Sequence, residues 1–177
     1  MCYSMSAVYD MSPGEVFWAA SDVGWVVGHS YIVYAPLLFG CSTVLYEGKP
    51  VKTPDAGAFW RVVEEYKVKI LFSAPTAFRA VRKEDPLGEY YKNYKLGSLK
   101  ALYLAGERLD PPTYHWLHEL SGLPVVDHWW QTETGWAIAS NPRGLESFQP
   151  KAGSATMPTP GFKVEILDEN GKQASPG

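Results

Sequence analysis

Residues 99–127 carry the pattern that decides the fold, and they read LKALYLAGERLDPPTYHWLHELSGLPVVD. The apolar run Leu99–Leu104 predicts a strand, and Asp110 followed by two prolines marks the start of a helix. That helix is predicted to end at Gly122, and a second strand is predicted over Pro124–His128. A strand, one helix and another strand are typical of a right-handed crossover between parallel neighbours.

The same alternation extends towards the N-terminus. Strands are predicted over Val16–Ala20, Ser42–Tyr46 and Ile70–Ala74. Helices are predicted over Ser30–Phe39, from Asp55 onwards and from Pro75 onwards. We therefore expect an α/β fold, with a parallel sheet and βαβ crossovers over about residues 16–135.

After Gly135 the pattern changes to a short C-terminal β segment, over about residues 136–177. Strands are predicted over Trp136–Ser140 and Phe162–Leu167, with a hairpin turn at Asn170–Gly171. The chain stops at Ser175–Gly177, immediately after half a hairpin. Because an unpartnered strand leaves an open edge, we expect these residues to be a fragment of a longer chain.

The composition favours a folded domain and excludes several classes of protein. Of the 177 residues, 46% are hydrophobic and 20% charged, which excludes disorder. The net charge is -3 and the 16 Lys and Arg residues are scattered, so no nucleic acid or anionic lipid partner is expected. The uncharged stretch 23–46 is broken by glycines and Pro36 and has acidic flanks, which argues against a membrane span. Two cysteines and no signal-peptide pattern predict a cytoplasmic location, or the mitochondrial matrix if the source is eukaryotic.

Two loops follow predicted strands at the edge where parallel sheets bind their ligands. The first is Ala105–Arg108, and the second is Trp129–Gly135 with two indoles, two hydroxyls, an amide and a carboxylate. Hydroxyls can donate to phosphate oxygens, and one carboxylate can hold Mg²⁺ together with substrate phosphates. On the residues alone, the second loop fits a solvated polar turn equally well.

Four stretches carry a resemblance: DVGWVVGHSY at 22–31, SAPTA at 73–77, DHWWQTETG at 127–135 and GSATMPTPG at 153–161. In this order and spacing they resemble motifs of the acetyl-CoA and propionyl-CoA synthetases, members of the adenylate-forming (AMP-binding) superfamily. The resemblance implies part of the large N-terminal domain of an adenylate-forming enzyme. It also implies that MgATP and a small carboxylic acid give an acyl-adenylate and pyrophosphate, after which coenzyme A displaces AMP.

The resemblance also implies roles for single residues. Glu133 resembles the carboxylate that binds Mg²⁺, Thr132 resembles a donor to the α-phosphate, and Gln131 resembles the amide of the same motif. The residues that match the nucleotide-binding segments are Gly106, Glu107, Arg108, Asp127, His128, Trp129 and Thr132. Gly106 is expected to permit close approach of the nucleotide, and an Asp at position 127 can accept from the exocyclic amine of the base.

A further set of matches implies the size of the acid. Trp130 resembles the indole that closes the pocket in short-chain enzymes, and the matching walls are Trp25, Val26, Val27 and Ala105. Acetate-specific members typically carry Val in place of Ala105 and Thr in place of Val27. The smaller Ala leaves space for about one more methylene, worth roughly 0.8 kcal/mol if buried. The resemblance therefore predicts propionate as the favoured acid, with acetate next.

Several parts of the family have no match in these residues. The phosphate loop, the ribose-binding Asp, an Arg and the small C-terminal domain are missing, so we expect the isolated chain to lack ligase activity and to need the rest of the parent chain. The alternative function is a non-catalytic module whose aromatic side chains bind a ligand. An enzyme needs Thr132 and Glu133 in a common cleft with Gly106 and Glu107, whereas a binding module would leave the carboxylate on a solvated turn.

Overall fold

The computed structural model describes residues 1–175. Five strands form one parallel sheet: β1 (Val16–Ala19), β2 (Ser42–Thr43), β3 (Val68–Ser73), β4 (Ala101–Leu104) and β5 (Val125–Asp127). Their spatial order is β2-β1-β3-β4-β5, and each neighbouring pair is parallel. The predicted α/β class with a parallel sheet is confirmed.

Helices precede and connect these strands in the described part of the chain. They are α1 (Cys2–Ala7), a π-helical segment (Gly28–Tyr34), α2 (Ala35–Phe39), α3 (Ala58–Tyr66), α4 (Pro75–Glu84), α5 (Glu89–Lys92) and α6 (Pro111–Ser121). As predicted, Asp110 caps α6, because its carboxylate accepts from the Thr113 amide at 2.9 Å. Gly122 ends the same helix with a φ of 66°, a conformation that glycine adopts without strain.

The sheet separates two hydrophobic cores, because successive side chains of a strand point to opposite faces. One face, the polar-core face, is covered by α1, the π-helical segment and α2, and its largest buried members are Tyr9, Phe17, Tyr31, Phe72 and Tyr103. The other, the apolar-core face, is covered by α3, α4 and α6 and includes Trp18, Phe59, Trp60, Phe78 and Leu117. Placing helices on both faces is typical of a doubly wound sheet.

A small antiparallel sheet follows the parallel one. Its strands are β6 (Trp129–Trp130), β7 (Ala137–Ser140) and β8 (Met157–Pro158), in the order β6-β7-β8. The sheet thus takes its first strand from Trp129, upstream of the change predicted at Gly135. The predicted hairpin turn is present, since Gly171 N–H donates to Asp168 O at 3.0 Å.

One predicted strand, Phe162–Leu167, is wrong. Within the described residues its sole bridge joins Leu167 to Gln173, and Ile166 is 77% exposed. Its alternating pattern therefore meets no partner strand and no core. The end of the predicted C-terminal segment, Pro176 and Gly177, lies outside the described residues.

Some helix boundaries also differ from prediction. The helix predicted from Asp55 begins at Ala58. The Asp55 carboxylate accepts from the Gly57 amide in the turn that precedes this helix. The helix predicted over Ser30–Phe39 begins at Gly28 as a π-helical segment. Gly28 is required there, because a Cβ would overlap the Val23 carbonyl oxygen. None of the helices in residues 1–175 is long and apolar enough to cross a membrane.

Candidate functional site

A cleft of about 770 Å³ opens at the carboxyl ends of β1, β3 and β4. Strand β2 lies on one side of β1, and the later strands β3, β4 and β5 lie on its other side, so the strand order reverses at β1. Doubly wound sheets bind ligands at such a reversal of strand order. The residues that line this cleft are Ser21, Trp25, Val26, Val27, Phe72, Ser73, Ala74, Ala105, Gly106, Trp130, Gln131, Thr132 and Glu133.

The apolar wall of this cleft contains all the residues predicted for an acyl pocket, namely Trp25, Val26, Val27, Ala105 and Trp130. Val27 is buried, whereas Trp25 is 69% exposed at the rim. The Trp130 indole packs edge-on against Tyr31 and Phe72, at ring-centroid distances of 5.8 Å and 6.2 Å. Trp130 therefore rests on rings of the polar-core face, which limits how far it can move.

The polar rim of the cleft is formed by Gln131, Thr132 and Glu133, and all of them are exposed. The turn that carries them is held by Thr134, whose single hydroxyl proton is shared between Gln131 O at 3.0 Å and Trp136 O at 2.9 Å. Among the described residues, no hydrogen bond engages the Thr132 hydroxyl or the Glu133 carboxylate. Both groups are free to contact a ligand in the cleft.

A second cleft of about 490 Å³ adjoins the first. Its lining residues are Gly106, Glu107, Arg108, Asp127, His128, Trp129, Trp130, Gln131, Gly153 and Ala155. Gly106, Trp130 and Gln131 line both clefts, so the two spaces meet at these residues. Gly106 has a φ of 98° and no heavy atom within 4 Å of where a Cβ would be, which fits close approach of a ligand to the backbone. Thr132 and Glu133 thus share the first cleft with Gly106, while Glu107 lies in the second.

Asp127 lies at the carboxyl end of β5, at the inner wall of the second cleft. Its Oδ2 accepts from the Leu109 amide at 3.3 Å. Burial raises the pKa of this carboxyl group, against the lowering effect of that hydrogen bond and of the Arg108 charge. Trp129, in contrast, is 45% exposed in the same cleft.

His128 is buried, and its imidazole points into the polar-core face. Its Nε2 shares a hydrogen bond of 3.0 Å with Tyr9 Oη, and its Nδ1 shares one of 2.7 Å with Ser140 Oγ. Burial lowers the pKa of His128 to about 3, so the ring is neutral at pH 7. Because both ring nitrogens are engaged, the imidazole has no free nitrogen for a nucleotide.

Glu107 is held by helix α4. Arg79 Nη2 donates to Glu107 Oε1 at 2.6 Å, and the Thr76 hydroxyl donates to the same oxygen. These hydrogen bonds, that from Arg79 above all, lower the pKa of Glu107. The carboxylate is therefore ionised at neutral pH and is directed towards α4.

The described residues contain no group of three or more His, Cys, Asp or Glu side chains that could hold a metal ion. Glu133 is a single carboxylate at the cleft rim. One carboxylate suits Mg²⁺ when substrate phosphates supply further ligands, so Glu133 fits the predicted role only in the presence of a nucleotide.

Other residues of the clefts were not predicted from the sequence. Phe72, Ser73 and Ala74 line the first cleft, and Gly153 and Ala155 line the second. Most of them lie within the SAPTA and GSATMPTPG stretches. Those stretches were noted as motifs, but nothing in them indicated which residues would line a cleft.

The fold and the two clefts define a class of protein: a doubly wound α/β protein with adjoining clefts at the carboxyl edge of its sheet, which is where this class binds its ligands. A family model described as "AMP-binding enzyme" matches residues 1–177. The chain belongs to the AMP-binding enzyme family, as the four motifs indicated.

Individual relatives agree with this assignment. The chain is 56% identical over 169 residues to the mitochondrial acyl-CoA synthetase short-chain family member 3 of Bos taurus, covering 95% of this chain and 25% of that protein. It is 50% identical over 166 residues to the propionate–CoA ligase of Salmonella typhimurium, covering 94% of this chain and 26% of the ligase. A crystal structure of Brucella canis acyl-CoA synthetase superposes with a TM-score of 0.82 at 35% identity, covering 98% of this chain and 30% of that one. The chain spans about a quarter of the length of these curated relatives.

Proposed function

We propose that this chain supplies the acid-binding and nucleotide-binding clefts of an AMP-forming, short-chain acyl-CoA synthetase. The substrates are a small carboxylate, ATP and coenzyme A, and the rest of the parent chain provides the missing parts of the site. Residues 1–177 belong to its AMP-binding (adenylation) domain, with the parallel α/β part at about 16–135 and the β-rich part at about 136–177. The proposed setting is the cytoplasm, or the mitochondrial matrix if the source is eukaryotic, and the mitochondrial name of the bovine relative supports the second alternative.

One observation carries this proposal: the two clefts meet at Gly106, Trp130 and Gln131. An acid in the apolar cleft presents its carboxylate at this junction, where a nucleotide in the second cleft presents its α-phosphate. Holding both reactants in line makes the reaction effectively unimolecular. The junction is therefore the place for a carboxylate oxygen to attack the α-phosphorus, with pyrophosphate leaving.

The rim residues stabilise the charge that this step develops. Thr132 donates to an α-phosphate oxygen, and the Gln131 amide lies beside it as a second donor. Glu133 would hold Mg²⁺, which when bound would supply neutralising charge to the phosphate oxygens. In the second step the coenzyme A thiol attacks the acyl carbon, and AMP leaves.

Propionate is the proposed acid. Ala105 and Val27 line the cleft beside Trp130, which rests on Tyr31 and Phe72 and limits its depth. The 50% identity to a propionate–CoA ligase supports the same assignment. The space gained at Ala105 accommodates about one methylene, worth roughly 0.8 kcal/mol.

A comparison of Ala105→Val, Val27→Thr and the double variant tests this specificity in the full-length enzyme. We expect the ratio of kcat/KM for propionate to that for acetate to fall about fourfold for Ala105→Val. Leu87→Ala is the matched control, since Leu87 is exposed and lines neither cleft. A kcat/KM for acetate equal to or above that for propionate in the wild-type enzyme would refute the assignment. Pyrophosphate exchange by the isolated 177-residue chain would contradict its proposed inactivity.

A second candidate is the non-catalytic aromatic module, which the exposure of Trp25 and Trp129 favours. The module would bind its ligand without consuming ATP. Acid-dependent exchange of pyrophosphate into ATP by the full-length protein separates the two functions, because only a synthetase catalyses it.

A further inference from the structure

Arg79 lies on α4, outside both clefts, and joins two carboxylates of the loop that follows β4. Its Nη2 donates to Glu107 Oε1 at 2.6 Å, and its Nη1 donates to Asp110 Oδ2 at 3.0 Å. Thr76, on the same helix, donates its hydroxyl to the same Glu107 oxygen. Helix α4 therefore contacts this loop through one guanidinium and one hydroxyl.

The loop that Arg79 contacts forms the junction of the two clefts. Gly106 lines both of them, and Glu107 and Arg108 line the second. Asp110 uses its other oxygen, Oδ1, to accept from the Thr113 amide at the start of α6, so this end of the loop is fixed. Glu107 has no partner other than Arg79 and Thr76 among the described residues, and these two side chains fix the middle of the loop.

We infer that Arg79 is a positioning residue for the nucleotide: it fixes the Gly106–Arg108 backbone at the second cleft, where the proposed function places the nucleotide, without touching the ligand itself. This inference rests on the proposed function. A planar guanidinium can bind two carboxylates in a fixed geometry, whereas a lysine ammonium is a compact charge whose donors do not fix that geometry. Arginine is therefore the residue type that suits this bridge.

The accessibility of the bridge argues against a large contribution to stability. The side chains of Arg79 and Glu107 are each 39% exposed, and ion pairs at such exposure stabilise a fold very little. The hydrogen bond to Glu107 raises the pKa of Arg79, and its partner's pKa is lowered, so both stay charged at neutral pH. A small displacement of a positioned group can reduce catalytic efficiency substantially.

The test uses the full-length enzyme and the variants Arg79→Met and Arg79→Lys. We expect Arg79→Met to raise the KM for ATP about tenfold, with the KM for the acid and the Tm unchanged. The preference for ATP over GTP, measured as a ratio of kcat/KM values, should fall in the same variant, because this wall of the proposed nucleotide cleft is no longer fixed. Arg79→Lys should recover part of both effects.

A double-mutant cycle tests whether Arg79 acts through Glu107. If it does, Arg79→Met combined with Glu107→Gln should be no worse than Glu107→Gln alone. Lys69→Met is the matched control: Lys69 pairs with Glu15 at 2.8 Å near the start of β3, outside both clefts. This variant should leave the KM for ATP and the nucleotide preference unchanged.

The outcomes separate the inference from the proposed function. If the wild-type enzyme performs no acid-dependent exchange of pyrophosphate into ATP, the proposed function fails. If it does, and Arg79→Met leaves both the KM for ATP and the ATP/GTP preference at wild-type values, the inference alone is overturned. Equal increases in the KM for ATP and for the acid, accompanied by a lower Tm, would also overturn it by indicating a structural role.

Discussion

The two faces of the parallel sheet are built from different chemistry. On the polar-core face, the hydroxyl of every fully buried tyrosine has a partner: Tyr9 Oη bonds to His128, Tyr31 Oη bonds to Ser4 at 2.8 Å, and Tyr103 Oη donates to Val8 O at 2.6 Å. On the apolar-core face, the indole N–H groups of Trp18 and Trp60 are buried without a partner among residues 1–175. Directional bonds thus hold the three buried tyrosines of the polar-core face, whereas packing alone holds the two buried indoles of the apolar-core face.

This difference between the two faces corresponds to the position of the clefts. Trp130 rests on Tyr31 and Phe72, which belong to the polar-core face, and His128 immediately precedes the strand that carries Trp130. Burial raises the pKa of Tyr31 to about 12, so its hydroxyl stays protonated in this network. Bonded polar groups have few alternative arrangements, which suits a cleft wall. The buried residues of the apolar-core face line neither cleft, and this face contributes stability through buried area.

The largest effect is expected from a cavity in the apolar-core face. Phe78 is fully buried and packs against Phe59 and Trp60, at centroid distances of 5.8 Å and 5.7 Å. Phe78→Ala should lower the free energy of unfolding by about 3–5 kcal/mol, measured by urea denaturation of the 177-residue chain. The exposed-site control Leu87→Ala should change it by less than about 0.5 kcal/mol. A loss below about 1 kcal/mol for Phe78→Ala would remove the distinction between the faces.

The polar-core face should instead respond to pH through His128. Its folded-state pKa of about 3 lies below the ordinary value of 6.5, so between these values the unfolded chain binds a proton that the folded chain does not. Stability should therefore fall as pH falls through this window, and the contribution of His128 between pH 7 and pH 5 should be about 2 kcal/mol. Unfolding free energies at both pH values, for the wild type and for His128→Gln, measure it. An identical pH dependence in both proteins would contradict a buried neutral His128.

Local signals predict part of this fold well. The β4–α6–β5 unit was predicted because Asp110, two prolines and Gly122 mark the helix ends in the sequence itself. Helix α1 was not predicted, because it has no side-chain cap and no acidic residue in its first turn. Burial of Ser4, Met5 and Ala7 against the polar-core face stabilises it instead.

The candidate site was also predicted only in part. Motif resemblance identified residues that now line two adjoining clefts, because each motif is a short contiguous stretch. It could not predict that Arg79 bridges Glu107 and Asp110, or that Tyr9 bonds to His128, since 28 and 119 residues separate the partners Arg79–Glu107 and Tyr9–His128. It matched His128 to the nucleotide site, and His128 lines the second cleft while its imidazole bonds within the core. Long-range pairing depends on the packed fold rather than on local sequence.

The smallest effects on stability are expected from removing one hydroxyl on each face. Tyr9→Phe removes the partner of His128 Nε2 and leaves a buried ring nitrogen unbonded, so it should lower the unfolding free energy by about 1–2 kcal/mol. Thr113, on α6 at the apolar-core face, has a buried hydroxyl with no partner in residues 1–175. Thr113→Val replaces that hydroxyl with a methyl group and should change stability by less than about 0.5 kcal/mol, or increase it slightly.

Urea denaturation of both variants at pH 7 measures the two values side by side. Tyr9→Phe keeps the ring that packs on Phe17 and Tyr31, so any loss of unfolding free energy comes from the missing hydroxyl and its hydrogen bond. If Thr113→Val is as destabilising as Tyr9→Phe, the Thr113 hydroxyl is bonded in solution. The difference in hydrogen bonding between the two faces would then rest on the unpartnered indole N–H groups of Trp18 and Trp60 alone.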